Sequence, residues 1–208
     1  FSPLAYENIN LKLNKTNKFN NSEKKFLMIS KKLILIAFHP SSQSREYEGD
    51  DFRKLLKILS KIENAKILIT APNPDPGYKI IHELIVDFIK KNKFAIFIPN
   101  LGQVKYFNIL KFTDLFIGNS SSGVIEVPYF DIPILNIGDR QRGRITNKNV
   151  FNVKKINNNL IKIIKKSLKF KKLMKKSYLS SFPSKKMFQI INKLDLTKIS
   201  ILKNFNDI

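Results

Sequence analysis

The sequence predicts an α/β fold in which helices flank a single parallel β-sheet. Apolar runs of strand length alternate with amphipathic stretches of helix length, which is the pattern of consecutive βαβ units. Most strand runs are apolar throughout, as in LILIAF at 33–38, and such strands are buried on both faces of a parallel sheet. Polar residues and glycines follow several of these runs directly, at the end of a sheet where ligands bind.

The elements are predicted in chain order from these patterns. Strands are predicted at 32–38, 66–70, 94–98, 115–117, 134–137 and 149–153. Helices are predicted at 50–62, 79–91 and 104–111, from the serines at 120–122 to about 131–133, at 158–174 (exposed and basic) and at 184–194. A polar loop at 41–49 and a proline-rich rigid turn at 71–77 connect the first units.

This order of elements predicts one Rossmann-like domain over 32–195. The preceding segment, 1–31, is rich in lysine and asparagine with weak periodicity, and 17–25 is predicted to be a solvated linker or poorly ordered. The last residues, 196–208, are predicted to be a tail. Because the chain begins with Phe1 and not Met, a fragment or a processed start is expected.

Composition excludes several classes of protein. The 208 residues contain no cysteine and two histidines, so neither a disulfide framework nor a zinc site is expected, and no cofactor is predicted. No apolar run approaches the roughly 20 residues that span a bilayer, so no membrane partner is predicted. The absence of cysteine and of a signal peptide favours a cytoplasmic protein.

The net charge of +22 raises the alternative of a basic nucleic-acid-binding module. The lysines are spread among asparagine and isoleucine residues along most of the chain, and nothing resembles an RNA-recognition motif, a zinc finger or a basic zipper. We therefore predict no specific nucleic-acid partner, only non-specific attraction to polyanions at low salt.

The segment 118–128 (GNSSSGVIEVP) is the first candidate ligand site. Ser120, Ser121, Ser122 and Gly123 lie between a buried strand and a predicted helix, where free N–H groups, the helix dipole and small hydroxyls favour an anion such as phosphate. Glu126, about one turn into the helix, can accept hydrogen bonds from a diol such as a ribose. A structural interpretation stays open, in which Ser122 or Gly123 caps the helix and Glu126 completes a capping box.

Other predicted strand ends add polar groups. Arg140, in GDRQRGR at 138–144, is the arginine nearest its strand and the best phosphate ligand, whereas the next two arginines are expected to be solvated or to pair with carboxylates elsewhere. His39 can donate to a phosphate or shuttle a proton, or it can be a structural loop histidine. Asn73 and Asp75 can contact a ligand or serve the turn alone. His82 lies within a predicted helix and is expected to be a surface or partly packed residue.

Five segments together closely resemble the UDP-N-acetylglucosamine 2-epimerase family. They are FHP at 38–40, PNPDPG at 72–77, LGQVKY at 101–106, GNSSSGVIEVP at 118–128 and GDRQRGR at 138–144. The last segment is similar to the hydrolysing branch, which feeds sialic and legionaminic acid synthesis. The resemblance implies the second, nucleotide-binding domain of a GT-B fold, with segment 1–31 crossing from a first domain that is missing here.

The resemblance also implies roles for the candidate residues. Ser120 and Ser121 would hold the diphosphate of a UDP-sugar, with Ser122 and Gly123 beside them. Glu126 would bind the ribose, Arg140 and His39 the phosphates, and Asn73, with Asp75 in its turn, would face the cleft. The family reaction converts UDP-N-acetylglucosamine and water to N-acetylmannosamine and UDP, and a related 6-deoxy sugar is an alternative substrate.

Two departures limit what the resemblance implies. The carboxylates that move protons belong to the missing first domain, so the chain is expected to be inactive alone and to need that domain or a second copy of itself as partner. Ser41 and Ser42 replace the family's usual Val-Thr. A non-hydrolysing epimerase and a GT-B glycosyltransferase fragment are the alternatives.

Overall fold

A computed structural model of the chain describes residues 3–13, 19–28, 31–40, 48–170 and 182–195. The predicted loop at 41–47, the end of the predicted helix at 171–174 and the predicted tail at 196–208 lie outside these ranges. Residues 48 and 49, predicted to end the loop, already belong to the first turn of a helix.

The described residues form one six-stranded parallel sheet with helices on both faces, so the predicted fold class is confirmed. The strands are β1 (Lys32–Ala37), β2 (Ala65–Ile69), β3 (Ala95–Phe97), β4 (Leu115–Gly118), β5 (Ile134–Ile137) and β6 (Val150–Val153). The helices are α1 (Leu4–Leu13), α2 (Asn21–Met28), α3 (Glu48–Leu59), α4 (Tyr78–Lys91), α5 (Gly102–Phe112), α6 (Ser122–Ile125), α7 (Asn159–Ser167) and α8 (Pro183–Ile191), and a 3₁₀ turn spans Val127–Phe130.

The strand order β3-β2-β1-β4-β5-β6 creates a switch point between β1 and β4. The chain builds the sheet outward from β1 to β3, returns to place β4 on the other side of β1, and then builds outward to β6. Ala37 at the end of β1 pairs with Gly118 at the end of β4. A crevice forms at such a point because the loops that leave the two strands go to opposite faces of the sheet.

Alternating strand residues divide the core into two layers. Ile34 and Ile36 face the layer covered by α3, α4 and α7, whereas Leu33 and Leu35 face the layer covered by α1 and α5. Both faces of β1 are therefore buried, as its continuously apolar sequence predicts.

The N-terminal segment is more ordered than its composition predicts. Within the predicted linker at 17–25, residues from Asn21 onward are helical, and Glu23 is buried. Asn20 and Glu23 form a reciprocal capping box, because each side chain accepts the other residue's backbone N–H at 2.8 Å. Lys105 Nζ lies 3.0 Å from the Glu23 carboxylate, so a local cap and a tertiary ion pair together hold α2 on α5.

Two predicted helices differ from the structure. Helix α7 ends at Ser167 and buries Leu160 and Ile164 in the core, so the prediction of an exposed helix was wrong for that face. The helix after the serines is a single turn followed by the 3₁₀ turn. Pro128 explains the break, because proline has no N–H to donate and disfavours helical backbone at the residue before it.

Among the residues with described structure, no helix is long and apolar enough to cross a bilayer. The same residues contain no cluster of three side chains that could hold a metal ion.

Candidate active site

A cavity of about 350 Å³ lies at the switch point, which is within the size range of small-molecule sites. The ends of β1, β2 and β4 and the first turns of α5 surround it. Its polar lining consists of His39, Thr70, Asn73, Asn100, Gln103, Tyr106, Ser120, Ser122 and Glu126. Four strand-end positions predicted from sequence, His39, Asn73, the Asn100 region and the serines, thus meet in one cavity.

The three serines of the predicted anion site point to different places. Ser120 and Ser122 line the cavity, whereas Ser121 does not. The Ser121 carbonyl instead accepts the N–H groups of Val124 and Ile125, at 3.1 and 3.0 Å, and so begins α6. The predicted cap interpretation also differs from the structure. The N-cap residue of α6 is Ser121, whose side chain makes no cap bond, the N–H of Ser122 donates to Ser120 Oγ at 3.3 Å, and Glu126 lies at the far end of the helix.

Gly123 faces the buried core on the side of this turn that packs against β4. A Cβ atom added to Gly123 would lie 2.8 Å from Cε1 of Phe116, whose ring is fully buried. The Gly123 N–H donates to the Ser120 carbonyl at 3.0 Å and is not free for a ligand. Because α6 is a single turn, its dipole is small, and the anion-binding capacity of the cavity depends mainly on side-chain donors.

Tyr106 is a lining residue that was not among the predicted ligand-binding residues. Its hydroxyl lies 2.5 Å from Ser122 Oγ, which joins α5 to the serine turn across the cavity. Burial raises the pKa of Tyr106, so the phenol stays protonated. Its position in the LGQVKY segment, in the second turn of the helix that follows β3, was the available signal.

His39 is buried and its ring nitrogens have defined roles. The Asn73 N–H donates to His39 Nδ1 at 3.0 Å, which places the ring proton on Nε2. Burial, followed by the nearby Arg140 charge, lowers the pKa of His39 to about 4, although Asp75 opposes the shift. His39 is therefore a neutral hydrogen-bond donor at the cavity wall at neutral pH.

Arg140 and Asp75 lie together beside the cavity and do not line it. Arg140 Nη2 lies 3.9 Å from Asp75 Oδ2, and Arg140 Nη1 donates to the Asn119 carbonyl at 3.3 Å. Both side chains are partly exposed, and an ion pair of that length contributes little to stability. Arg142 and Arg144 are exposed, as predicted.

Glu126 follows the last residue of α6 and lines the cavity. Its position one turn after the serines matches the sequence prediction. Among the residues that line the cavity, Glu126 supplies the carboxylate. His82, by contrast, lies half-buried in α4 with its ring centroid 5.5 Å from that of Tyr78, as expected for a partly packed residue.

The six-stranded parallel sheet with helices on both faces is a Rossmann-like domain of the kind found in GT-B folds. The model of the UDP-N-acetylglucosamine 2-epimerase family matches residues 4–192. The chain belongs to that family.

Two relatives carry a more specific description. Over 125 residues, the chain is 37% identical to the GDP/UDP-N,N'-diacetylbacillosamine 2-epimerase (hydrolyzing) of Campylobacter jejuni, covering 60% of this chain and 33% of that protein. Over 123 residues, it is 32% identical to the UDP-N,N'-diacetylbacillosamine 2-epimerase (hydrolyzing) of Legionella pneumophila, covering 59% of this chain and 32% of the relative. These alignments thus span about a third of each relative.

The fold is shared with the UDP-GlcNAc 2-epimerase of Methanocaldococcus jannaschii, whose structure holds UDP-GlcNAc and UDP. The TM-score is 0.64 at 16% identity, over 91% of this chain and 53% of the other. The chain therefore corresponds to about half of that enzyme.

Proposed function

We propose that this chain is the nucleotide-binding half of a hydrolysing UDP-N-acetylglucosamine 2-epimerase. The proposed reaction converts UDP-N-acetylglucosamine, or a related 6-deoxy sugar, and water to the 2-epimeric free sugar and UDP. One observation carries the proposal. Hydroxyl donors from the serine turn, the Nε2–H of His39 and the carboxylate of Glu126 converge on one cavity at the switch point.

The lining groups match the parts of a nucleoside diphosphate. Ser120 and Ser122 donate to phosphate oxygens, and Glu126 accepts hydrogen bonds from the ribose hydroxyls. Ser121, which the sequence resemblance also assigns to the diphosphate, contributes through the shape of the turn and not through a side chain in the cavity.

His39 acts as a neutral hydrogen-bond donor in this proposal. Its Nδ1 is already bonded to the Asn73 N–H, so only Nε2–H is available to a ligand. A donor fixed at the site where the diphosphate leaves stabilises the negative charge that develops there, and it needs no reorganisation during the reaction. A proton shuttle through His39 is disfavoured, because its pKa of about 4 lies well below neutral pH.

Arg140 supplies the positive charge for the same step. The pair with Asp75 is long and partly exposed, so little energy opposes exchange of the Asp75 carboxylate for a phosphate oxygen. A guanidinium also matches phosphate geometry with two parallel N–H donors.

The relatives favour the hydrolysing reaction and a modified sugar. Both are named as hydrolysing 2-epimerases of nucleotide-linked N,N'-diacetylbacillosamine, which differs from the N-acetylglucosamine of the family name. We propose that the reaction serves nucleotide-sugar metabolism of the sialic or legionaminic acid type, in the cytoplasm.

These 208 residues are expected to bind UDP without turning over a UDP-sugar. Elimination of UDP requires a base that removes the C-2 proton, and addition of water requires an acid. Among the lining residues Glu126 is the carboxylate, and its proposed partner is the ribose. The proton-moving groups would come from a first domain or from a second copy of the chain.

Calorimetric titration of the chain with UDP at physiological salt tests the proposal. We expect 1:1 binding, about tenfold weaker affinity in Ser122→Ala because one hydrogen bond to a charged group is lost, and unchanged affinity in Ser60→Ala, which removes an exposed hydroxyl just after α3. Preference for short DNA over UDP, or equal UDP affinity in both variants, would refute it. Release of UDP from UDP-N-acetylglucosamine by the chain alone would refute the inactive-half assignment.

A further inference from the structure

Asn119 holds the backbone of His39 from both sides. Its Oδ1 accepts the His39 N–H at 2.7 Å, and its Nδ2 donates to the His39 carbonyl at 2.7 Å. Both residues are buried, with relative exposures of 3% and 8%. The side-chain amide thus extends the contact between β1 and β4 beyond their last backbone pair, Ala37 and Gly118, to His39, two residues past Ala37.

The main chain of Asn119 is bonded to the arginine loop. Its carbonyl accepts Gln141 Nε2 at 2.8 Å and Arg140 Nη1 at 3.3 Å. Gln141 is itself buried, so this contact is part of the core and not a surface bond. Asn119 is therefore hydrogen-bonded both to His39, whose ring is the neutral donor, and to Arg140, whose guanidinium is the cation.

The imidazole of His39 has a third restraint from the end of β2. The Asn73 N–H donates to His39 Nδ1 at 3.0 Å and so fixes the tautomer of the ring. This bond would be lost if the His39 backbone moved from the position in which Asn119 holds it, because a hydrogen bond weakens steeply when its distance or angle changes. The charged groups that act on the ring are Arg140 and Asp75. The position of the His39 ring thus depends on residues that follow four strands. His39 itself follows β1, Asn73 follows β2, Asn119 follows β4 and the arginine loop follows β5.

We propose that Asn119 is a positioning residue that keeps His39 at the cavity wall as an Nε2–H donor and aligns it with Arg140, so that both act on the same phosphate group. This inference rests on the proposed function and names a residue that touches neither phosphate nor sugar. Asparagine suits the position because both bonds to His39 require an acceptor and a donor on one planar group. Aspartate offers only acceptors, and alanine offers neither.

The two histidines of the chain make the proposal testable by NMR without a ligand. At pH 5.5, His39 of the wild type should be neutral with the proton on Nε2, because its pKa is about 4, whereas His82 serves as internal reference. In Asn119→Ala, the ring should lose its bond to Asn73 and become solvated. We expect its pKa to move toward the ordinary 6.5, and most of the ring to be charged at pH 5.5.

Asn136→Ala is the matched control. Asn136 is also a buried asparagine near a strand end, and its Nδ2 donates to Asn152 at 2.8 Å without contacting His39. It should lose comparable stability while the His39 signals stay as in the wild type. If Asn119→Ala fails to fold, Asn119→Ser adds no charge and its hydroxyl cannot make both bonds to His39, so it should still raise the pKa of His39.

The proposal is overturned if both Asn119 variants leave the tautomer and titration of His39 unchanged, or if Asn136→Ala alters them as much. UDP titration then separates the two proposals. We expect about tenfold weaker UDP binding in Asn119→Ala. Failure of wild-type UDP binding would refute the proposed function, while the ligand-free NMR result would still decide whether Asn119 positions His39.

Discussion

Replacement of Gly118 by alanine should destabilise the protein at the switch point itself. A Cβ atom at Gly118 would lie 2.0 Å from the carbonyl oxygen and 2.7 Å from the carbonyl carbon of Ala37. A carbon and an oxygen in close contact are normally about 3.3–3.6 Å apart, so β1 and β4 would have to separate by more than about 1 Å. The obstacle is backbone, which cannot rotate away as a side chain can.

The expected cost follows from what this separation breaks. The Gly118 φ of +156° is itself unfavourable for a residue with a side chain, and such strain costs about 1–3 kcal/mol. The Asn119 N–H to Ala37 carbonyl bond, at 3.2 Å, and the two bonds from Asn119 to His39 lie directly beyond it, each contributing about 1 kcal/mol. We expect a loss of about 4 kcal/mol in the free energy of unfolding, or roughly 8–16 °C in melting temperature.

Gly143→Ala provides the control, because Gly143 has a φ of +80° but no neighbouring atom within 4 Å of the point that a Cβ would occupy. It should cost about 1–2 kcal/mol from backbone conformation alone. Urea denaturation of both variants at pH 7 gives the difference. The reasoning fails if the loss in free energy of unfolding for Gly118→Ala exceeds that for Gly143→Ala by less than about 1 kcal/mol, because the close approach of the two strands would then not be what requires glycine.

Three further perturbations have defined outcomes. His39 has a pKa of about 4 in the folded state against 6.5 when unfolded, so the unfolded state binds more protons between these pH values. The free energy of unfolding should therefore fall by up to about 3 kcal/mol as the pH drops from 6.5 to 4. His39→Gln should reduce this pH dependence in urea denaturation. Glu23→Ala removes the bond from the Asn20 N–H to the Glu23 carboxylate, which is one half of the capping box of α2, and it also leaves Lys105 without this carboxylate. In urea denaturation it should lower the free energy of unfolding by about 2 kcal/mol. Arg140→Ala should raise the pKa of His39 in NMR titrations, and an unchanged pKa would show that the Arg140 charge does not contribute to the shift.

The sheet was predictable because its signals are local. A strand such as β1 is apolar at every position from Leu33 to Ala37, and no partner is needed to recognise a segment that must be buried on both faces. Helix α4 likewise shows its buried stripe, Ile81, Ile85 and Phe88, at helical spacing. Errors occurred where tertiary contacts override a weak local pattern, as in α2, which depends on the ion pair to Lys105.

The candidate site was only partly predictable. The sequence placed His39, Asn73 and the serines at strand ends, and parallel strands bring their carboxyl ends together in any such sheet. It did not distinguish Ser122, which faces the cavity, from Ser121, because the break at Pro128 and the packing of Gly123 on Phe116 set the direction of the turn.

By itself, therefore, the sequence determined the strands, the order of βα units and the polar residues where strands end. These depend on hydrophobic periodicity and turn chemistry within a few residues. Only the tertiary structure decided that Tyr106 meets Ser122 and that Asn119 holds His39, since these pairs are 16 and 80 residues apart. Hydrogen bonds between such distant side chains depend on strand order and register, which no local pattern encodes.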